Sequence, residues 1–281
     1  MNYELHLKCC IESVKAGARA IENYKPTTLK IKSTDAMGSH AIVTDADYKS
    51  QEAILNEIGK YDKDSLLITE EIVKNAVFKK RIIKADELEK LLNSGAYIID
   101  ELDGSSGFEK GHHEWSVSNG YVYKMQNVAG AIFAPKIDGG ILFYGSIGNG
   151  AYIQNKNESR RIKVSKCSNL RNAYVIFGPD NFLSRYPIHN KLVTKIGDIA
   201  RTVNSCGSCA IALGLVAAGK ADALVQPVHY PWDWAAGKVM VEEAGGIMIF
   251  YEMDKGRIIT IDHLELFFTK SFVSLSGIFW S

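Results

Sequence analysis

The sequence predicts a mixed α/β protein of two subdomains, an α+β part over residues 1–160 and an α/β part over residues 161–281. Three patterns support this fold class: an amphipathic N-terminal helix, a run of short strands between 115 and 153, and an alternation of strands and helices after about residue 160. The sequence contains no internal repeat and no low-complexity linker. We therefore expect the two subdomains to share one interface.

The N-terminal elements follow from the spacing of apolar residues. Residues 5–24 place apolar side chains at three- and four-residue steps, which predicts an amphipathic helix packed on a core. Asp45 is the expected cap of a second helix. Residues 65–69 are a short apolar strand, and a charged stretch at about 72–93 without Gly or Pro is expected to be helical.

The rest of the chain is read in the same way. Residues 97–99 form another apolar strand, which we expect to end in an acidic turn over 100–104. Antiparallel strands separated by Gly turns then occupy 115–153. The alternating strands and helices of the second subdomain are predicted at 174–177, 183–196, 200–203, 208–218, 223–225, 234–244 and 246–250.

Composition excludes several classes of protein. The chain has 281 residues, 46% of them hydrophobic, and a formal net charge of +1, so it has no broad basic surface for a nucleic acid polymer or an anionic membrane. The longest uncharged stretch, 202–219, is too polar to span a membrane, and the N-terminus has no signal-peptide core. These features predict a cytoplasmic protein.

Acidic side chains follow two of the predicted strands. Glu70 and Glu71 come after the first strand, and Asp100, Glu101 and Asp103 come after the second. Crowded carboxylates repel one another unless a cation holds them together, and Mg²⁺ prefers oxygen ligands of this kind. The plain alternative is an Asp-Gly turn with solvated acids, and these residues alone favour neither interpretation.

Two later segments favour a binding site. Asp233 begins a helix that ends before Gly245, where a plain N-cap is the alternative role. Gly207 and Ser208 begin a helix of small residues, whose first N–H groups suit an anion such as phosphate. Tight packing of this helix in the core is the alternative, and the two roles are compatible.

Four segments in order resemble the signature motifs of one family, the magnesium-dependent, lithium-sensitive inositol monophosphatase superfamily, which also contains bisphosphate nucleotidases and fructose-bisphosphatases. These segments are Val43-Thr44-Asp45-Ala46-Asp47, Thr69-Glu70-Glu71, the stretch from Ile98 to Ser106, and the stretch from Trp232-Asp233 to Gly245-Gly246. The resemblance covers nearly the whole chain. It implies a layered αβαβα sandwich of the sugar-phosphatase type, a phosphoric monoester hydrolase whose partner is a small phosphorylated metabolite, and a homodimer.

The resemblance also implies a role for each matching residue. It implies two to three Mg²⁺ ions per active site, with these ligands: Glu70, Asp100, the Leu102 carbonyl, Asp103 and Asp233. Asp47 and Ser105 would orient the attacking water, and Glu70 would share in catalysis through a third, weaker metal. The implied substrate contacts are Asp103, Gly104, Ser105, Gly207, Ser208, Cys209, Gln226 and Asp233.

Three departures from the family pattern affect the expected substrate. Glu101 replaces the usual Pro, and Ser105 replaces a Thr but keeps its hydroxyl. Gln226 stands where inositol-specific members carry a Glu, which weakens the expectation of inositol selectivity. The sequence therefore predicts a phosphomonoesterase for a small polyol or sugar phosphate such as inositol 1-phosphate.

Other functions are compatible with the same sequence. The alternatives within the enzyme class are a 3′(2′),5′-bisphosphate nucleotidase and a fructose-1,6-bisphosphatase. The alternative of another class is a non-catalytic binding protein that has kept the fold. Loss of a metal ligand would favour that alternative, yet Glu70, Asp100, Asp103 and Asp233 are all present.

Overall fold

The computed structural model describes residues 3–31, 42–71, 76–82, 94–156, 158–178, 187–226, 229–254, 257–260 and 273–277. The helices in this part of the chain are α1 (Tyr3–Ile21), α2 (Asp45–Tyr61), α3 (Ala76–Lys79), α4 (Ser105–Glu109), α5 (Pro187–Ile199), α6 (Cys209–Ala217) and α7 (Pro231–Glu243). None of these described helices combines the length and apolar character needed to cross a membrane.

The strands form two large sheets and a small ribbon. Their bounds are β1 (Leu29–Ile31), β2 (Ile42–Thr44), β3 (Leu66–Thr69), β4 (Gly95–Asp103), β5 (Ser116–Tyr123), β6 (Gln126–Ala134), β7 (Ile141–Ser146), β8 (Gly150–Gln154), β9 (Ser159–Arg161), β10 (Tyr174–Phe177), β11 (Thr202–Asn204), β12 (Ala223–Gln226), β13 (Met248–Asp254), β14 (Arg257–Thr260) and β15 (Val273–Gly277). The ribbon is the antiparallel pair β1 and β2.

The first sheet has seven strands in chain order from β3 to β9. Its β3 and β4 are parallel, and every later pair is antiparallel. The second sheet has six strands in the order β11-β10-β12-β15-β13-β14, with β10 parallel to both β11 and β12. The predicted change from antiparallel strands to alternating strands and helices is thus reproduced.

The first sheet carries helices on both faces. In β4, Ala96 and Ile98 belong to the core formed with α6 and α7, whereas Tyr97 and Ile99 belong to the core formed with α1 and α2. Successive side chains of a strand point to opposite faces, so a strand covered on both sides reads as a continuous apolar run. This explains why β4 shows no polar alternation in the sequence.

The second sheet is layered in the same manner. Ile176 of β10 packs in the core that contains α6 and α7, while Val175 and Phe177 pack with Val193 of α5. The layers are therefore α1 and α2, the first sheet, α6 and α7, the second sheet, and α5. This is the αβαβα sandwich that the sequence predicted, and the fold prediction is confirmed.

Several local predictions were wrong. Thr44, not Asp45, caps α2, and it does so with its side chain. β4 does not end at residue 99, because Asp100 still pairs with Ser118 of β5 and Asp103 pairs with Ser116 after an irregularity in the register, so the acids lie in the strand rather than in a turn. Of the charged stretch at 72–93, the structure describes only residues 76–82, with a short helix in Ala76–Lys79; the remainder lies outside the described residues.

Two glycines let α7 approach the first sheet closely. Gly120 and Gly130 are paired opposite each other on β5 and β6. A Cβ atom on Gly120 would lie 2.7 Å from the backbone of Ala235 and Ala236, and one on Gly130 would lie 2.7 Å from the backbone of Ala236. Because Asp233 lies in the first turn of α7, this contact fixes where that turn stands relative to the sheet.

Replacing Gly120 with Ala should lower the free energy of unfolding by about 1–3 kcal/mol, since a backbone neighbour cannot rotate away from the new methyl group. Gly197→Ala is the matched control, because Gly197 is exposed in α5 with no heavy atom within 4 Å of the new Cβ. It should raise stability by up to about 1 kcal/mol. Urea denaturation measures both, and equal effects of the two substitutions would contradict the close contact.

Candidate metal and phosphate site

The parallel pairing of β3 with β4 brings acidic residues together at the point where β3 ends. β3 and β4 are parallel, and Thr69 pairs with Ile99, so Glu70 and Asp100 leave the paired region side by side. One carboxylate oxygen from each of Glu70, Asp100 and Glu101 lies within 4.8 Å of the other two. The two acidic segments meet in space, as the sequence predicted, but Glu101 was not among the predicted ligands.

The acid cluster of Glu70, Asp100 and Glu101 brings together carboxylates that repel one another when no cation is bound. Burial, followed by the charge of Glu70, raises the pKa of Asp100 well above its usual range, and the charges of Asp103 and Asp233 add to this effect. Burial and Glu70 raise the pKa of Glu101 as well. Carboxylates that repel one another inside a protein are the donors that hard divalent cations prefer. The residues present therefore fit the metal that the family resemblance implies.

Asp47 and Ser105 form a hydrogen-bonded pair beside the acid cluster. The Thr44 amide and hydroxyl donate to Asp47 Oδ2 at 2.8 and 2.6 Å, which fixes the carboxylate. Ser105 Oγ donates toward Asp47 Oδ1 at 3.0 Å and toward the Leu102 carbonyl at 2.7 Å. Burial raises the pKa of Asp47, with a smaller contribution from the charge of Glu70 and against the hydrogen bonds from Thr44.

Asp103 lies at the start of α6. Its Oδ2 accepts hydrogen bonds from Ser208 Oγ and from the Ala210 amide, both at 2.6 Å, and its Oδ1 accepts a longer one, 3.4 Å, from the Cys209 amide. Ser208 also caps the helix by accepting from the Ile211 amide. The anion held by this helix start is thus the Asp103 carboxylate, where the sequence predicted phosphate. Burial raises the pKa of Asp103 to about 6 despite these bonds.

The turn after β4 requires glycine. Gly104 has a φ of 96°, and a Cβ there would lie 2.8 Å from the Glu114 carbonyl oxygen and 3.3 Å from that of Gly207. A side chain would therefore be strained by backbone conformation and by backbone neighbours. The turn also places Gly104 against Gly207, so two predicted substrate contacts that lie far apart in sequence are neighbours.

Asp233 and Gln226 come from the second half of the chain. Asp233 is the third residue of α7 and accepts a hydrogen bond from the Tyr230 amide at 2.6 Å, so Tyr230 occupies the cap position. The charge of Asp233 acts on the pKa of Asp100, which places it near the acid cluster. Gln226 ends β12 in the second sheet, buried with its amide against Gly178, where a Cβ would overlap it.

Gln51 is a polar residue of the site that the sequence analysis missed. Its Nε2 donates to the Glu71 carbonyl at 2.9 Å and to Glu101 Oε1 at 2.8 Å. A signal for it exists in the sequence: Asp47 and Gln51 stand one turn apart on α2, with Ser50 beside them, on a buried face whose other residues are apolar. Polar residues grouped on such a face indicate partners in the interior.

Carboxylates gathered beside a hydroxyl that another carboxylate holds offer oxygen donors for a cation and a group that could orient water, which are the needs of a metal-dependent hydrolase. Comparison with known proteins identifies the family. The model of the inositol monophosphatase family matches residues 3–263. The chain belongs to this family.

Individual relatives agree with the family assignment. The fructose-1,6-bisphosphatase/inositol-1-monophosphatase of Thermotoga maritima is 28% identical over 241 residues, which are 86% of this chain and 80% of that protein. The Nus factor SuhB of Escherichia coli (strain K12) is 29% identical over 239 residues, covering 83% of this chain and 80% of that protein.

Solved structures give the same fold. The IMPase of Thermotoga maritima superposes with a TM-score of 0.71 at 25% identity over 96% of this chain and 90% of that one. The extragenic suppressor protein suhB of Bartonella henselae gives a TM-score of 0.75 over 98% and 92% of the two chains. At 23% identity, the second likeness concerns the fold alone.

Membership of the family settles the class of activity. Its members are metal-dependent phosphatases that hydrolyse phosphate monoesters and bind phosphorylated small molecules. This chain is accordingly a phosphoric monoester hydrolase, and the predicted enzyme class is confirmed. The acid cluster of Glu70, Asp100 and Glu101 offers carboxylate oxygens that could hold a metal ion.

The metal-free protein should lose stability as pH rises through about 6. The folded pKa of Asp103, about 6, exceeds the unfolded value of about 3.9, so Asp103 adds stability that is fully present below about pH 4 and lost above its folded pKa. The size of the effect is about 2–3 kcal/mol.

Urea unfolding in chelator between pH 4 and 8 measures this dependence, with Asp103→Asn as the reference because the substitution removes the titrating group. The free energy of unfolding of the wild type minus that of Asp103→Asn should increase as pH falls from 7 to 4. A difference that stays constant or decreases over this range would contradict the assigned shift.

Proposed function

We propose that this phosphatase is Mg²⁺-dependent and acts on a small polyol or sugar phosphate such as inositol 1-phosphate. One observation carries the proposal: the Ser105 hydroxyl is hydrogen-bonded to Asp47 beside the Glu70 and Asp100 carboxylates. Such a hydroxyl could orient a water molecule next to oxygen ligands for a cation, which supports the proposal. The name of the Thermotoga maritima relative, a fructose-1,6-bisphosphatase/inositol-1-monophosphatase, supports the substrate class.

The metal ligands in this proposal come from both halves of the chain: Glu70, Asp100, the Leu102 carbonyl, Asp103 and Asp233. When bound, two to three Mg²⁺ ions would neutralise phosphate oxygens and acidify a water molecule. The proposed subdomains 1–160 and 161–281 thus both contribute, since Asp233 lies in the second. Burial and, after it, the charges of Glu70, Asp103 and Asp233 raise the pKa of Asp100, and this mutual repulsion supports the ligand set.

Asp47 and Ser105 handle the proton of the attacking water. Ser105 Oγ donates its proton to Asp47 Oδ1 and accepts one from the water, which orients the water's lone pair toward phosphorus. The raised pKa of Asp47 makes its carboxylate a stronger proton acceptor than an exposed Asp. Thr44 donates to the other oxygen, Oδ2, and so leaves Oδ1 for this exchange.

The organic part of the substrate lies between the two halves of the chain. The Gly104 and Ser105 amides are proposed to bind phosphate oxygens, together with Asp103 and Asp233 nearby. The polyol or sugar hydroxyls would contact Gly207, Ser208, Cys209 and Gln226. A neutral amide at Gln226 both donates and accepts, which suits several sugars better than one polyol.

Two further properties follow from the family resemblance and belong to the proposal. We propose that Li⁺ inhibits the enzyme and that it is a homodimer. A sugar bisphosphate remains the second substrate candidate, favoured by the name of the same Thermotoga maritima relative.

Removal of the Ser105 hydroxyl should lower kcat about a hundredfold or more, because general-base assistance contributes at least that much in comparable enzymes. Ser105→Ala is the test, and Ser105→Thr, which keeps a hydroxyl at the same carbon, is the control and should stay active. Metal binding should be unchanged in both, since neither variant alters a proposed ligand. Full turnover by Ser105→Ala would exclude the relay.

Phosphate release from a panel of esters tests the proposed function as a whole. The panel contains inositol 1-phosphate, fructose 1,6-bisphosphate and 3′-phosphoadenosine 5′-phosphate, each assayed with Mg²⁺, with chelator and with Li⁺. We expect Mg²⁺-dependent turnover of the first two and inhibition by Li⁺. Asp103→Asn, verified as folded by circular dichroism, should lose at least about a hundredfold in rate, since even outer partners of metal ligands cost 10–100-fold.

The pattern of activity separates the alternatives. Preference for 3′-phosphoadenosine 5′-phosphate would replace the proposal with a nucleotidase. Turnover that survives both chelator and Asp103→Asn would contradict a metal centre at this site. Absence of turnover for every small phosphate would favour a binding role for the fold.

A further inference from the structure

Glu101 is an acidic residue placed where solvent does not reach it. Its side chain is 0% exposed. Its Oε1 accepts a hydrogen bond from Gln51 Nε2, whereas Oε2 has no hydrogen-bond partner among the described residues. A buried carboxylate oxygen without a partner is costly, and each such group in a folded protein needs an explanation.

The neighbours of Glu101 are acids. The negative charges of Glu70 and Glu71 both act on it, and it interacts with Asp100 as well. One oxygen each from Glu70, Asp100 and Glu101 lies within 4.8 Å of the other two. Opposing oxygen ligands of one divalent cation stand about 4–5 Å apart, since the bonds are about 2.0–2.6 Å long. The three carboxylates thus have the spacing of a shared coordination sphere.

Gln51 holds Glu101 in this position. Its amide bridges the Glu71 carbonyl and Glu101 Oε1, so the carboxylate is fixed by one oxygen while the other remains available. Outer hydrogen bonds of this kind orient metal ligands in proteins. The Ser50 hydroxyl also donates to the Glu101 carbonyl at 2.6 Å, which ties the backbone of this residue to α2.

We infer that Glu101 is an additional metal ligand, and that its carboxylate, with those of Glu70 and Asp100, forms a divalent-cation site. The inference deepens the proposed function and rests on it, because it assigns a further ligand to the same metal centre. It turns a weak position beside Glu70 into one with three anionic ligands, which raises affinity for a divalent ion. Gln51 is a positioning residue for that ligand.

Binding of Mn²⁺, used as a spectroscopic substitute for Mg²⁺, tests the inference on the full-length chain. Electron paramagnetic resonance of free Mn²⁺ gives the number of bound ions and their affinities. Glu101→Gln keeps the shape and the contact with Gln51, and should lose one bound ion or weaken one class of sites at least about tenfold. Glu12→Gln, the same change on the surface of α1, should bind Mn²⁺ as the wild type does.

Stability separates ligation from a structural role. In chelator, Glu101→Gln should be at least as resistant to thermal unfolding as the wild type, because a buried repulsive charge is removed. With Mn²⁺ added, it should gain less in Tm than the wild type gains. A variant that is destabilised in chelator, with unchanged Mn²⁺ binding, would make Glu101 a structural residue and overturn the inference.

Wild-type crystals grown with Mn²⁺ give a measurement that depends on no variant. An anomalous peak about 2.1 Å from a Glu101 oxygen would support the inference, and its absence beside occupied sites at Asp103 and Asp233 would overturn it. The two proposals fail separately. Phosphatase activity with Mn²⁺ binding unaffected by Glu101→Gln leaves the proposed function standing and removes the inference. Mn²⁺ binding that Glu101→Gln alters, in a protein that hydrolyses no ester, would keep the inference and remove the proposed function.

Discussion

The parallel pairing of β3 with β4 is the constraint on which the site depends. Its register places Thr69 opposite Ile99, and the next residues, Glu70 and Asp100, then emerge together at one edge of the sheet. Apolar side chains on both faces of β4 fix this register, since a slip of one residue would move Ile98 and Ile99 to the wrong cores. Glu70 and Asp100 lie close together because apolar packing on both faces of β4 fixes the register of the two strands.

The N-termini of three helices stabilise part of the negative charge that the carboxylates bring together. Asp47 and Asp233 are each the third residue of their helix and accept a backbone N–H bond at its beginning, and Asp103 accepts two from the start of α6. The partial positive charge of a helix N-terminus stabilises a carboxylate there. The same bonds orient the carboxylates, so one interaction both lowers the cost of burying each carboxylate and fixes its position.

The remaining cost of burying these carboxylates falls on a few residues. The pKa of Asp100, of Glu101 and of Asp103 is raised by burial in spite of the available hydrogen bonds. Such perturbation is typical of functional sites, where stability is given up for a ligand to be bound later. The close contact of α7 with Gly120 and Gly130 has the opposite effect on stability, because it packs the helix that carries Asp233 tightly against the sheet.

The sequence by itself determined the layered α/β class and the positions of most elements within a few residues. It also singled out Glu70, Asp100 and Asp103 as candidate site residues. Apolar periodicity and local motifs made this possible, because both are properties of short segments. Only the tertiary structure decided that Asp103 is held by Ser208, 105 residues away, and that Gln51 holds Glu101, 50 residues away. Contacts between such distant residues leave no periodic pattern. The extension of β4 to Asp103 was missed for the same reason, since pairing with β5 maintains it against the local preference of an acidic Asp-Gly segment for a turn.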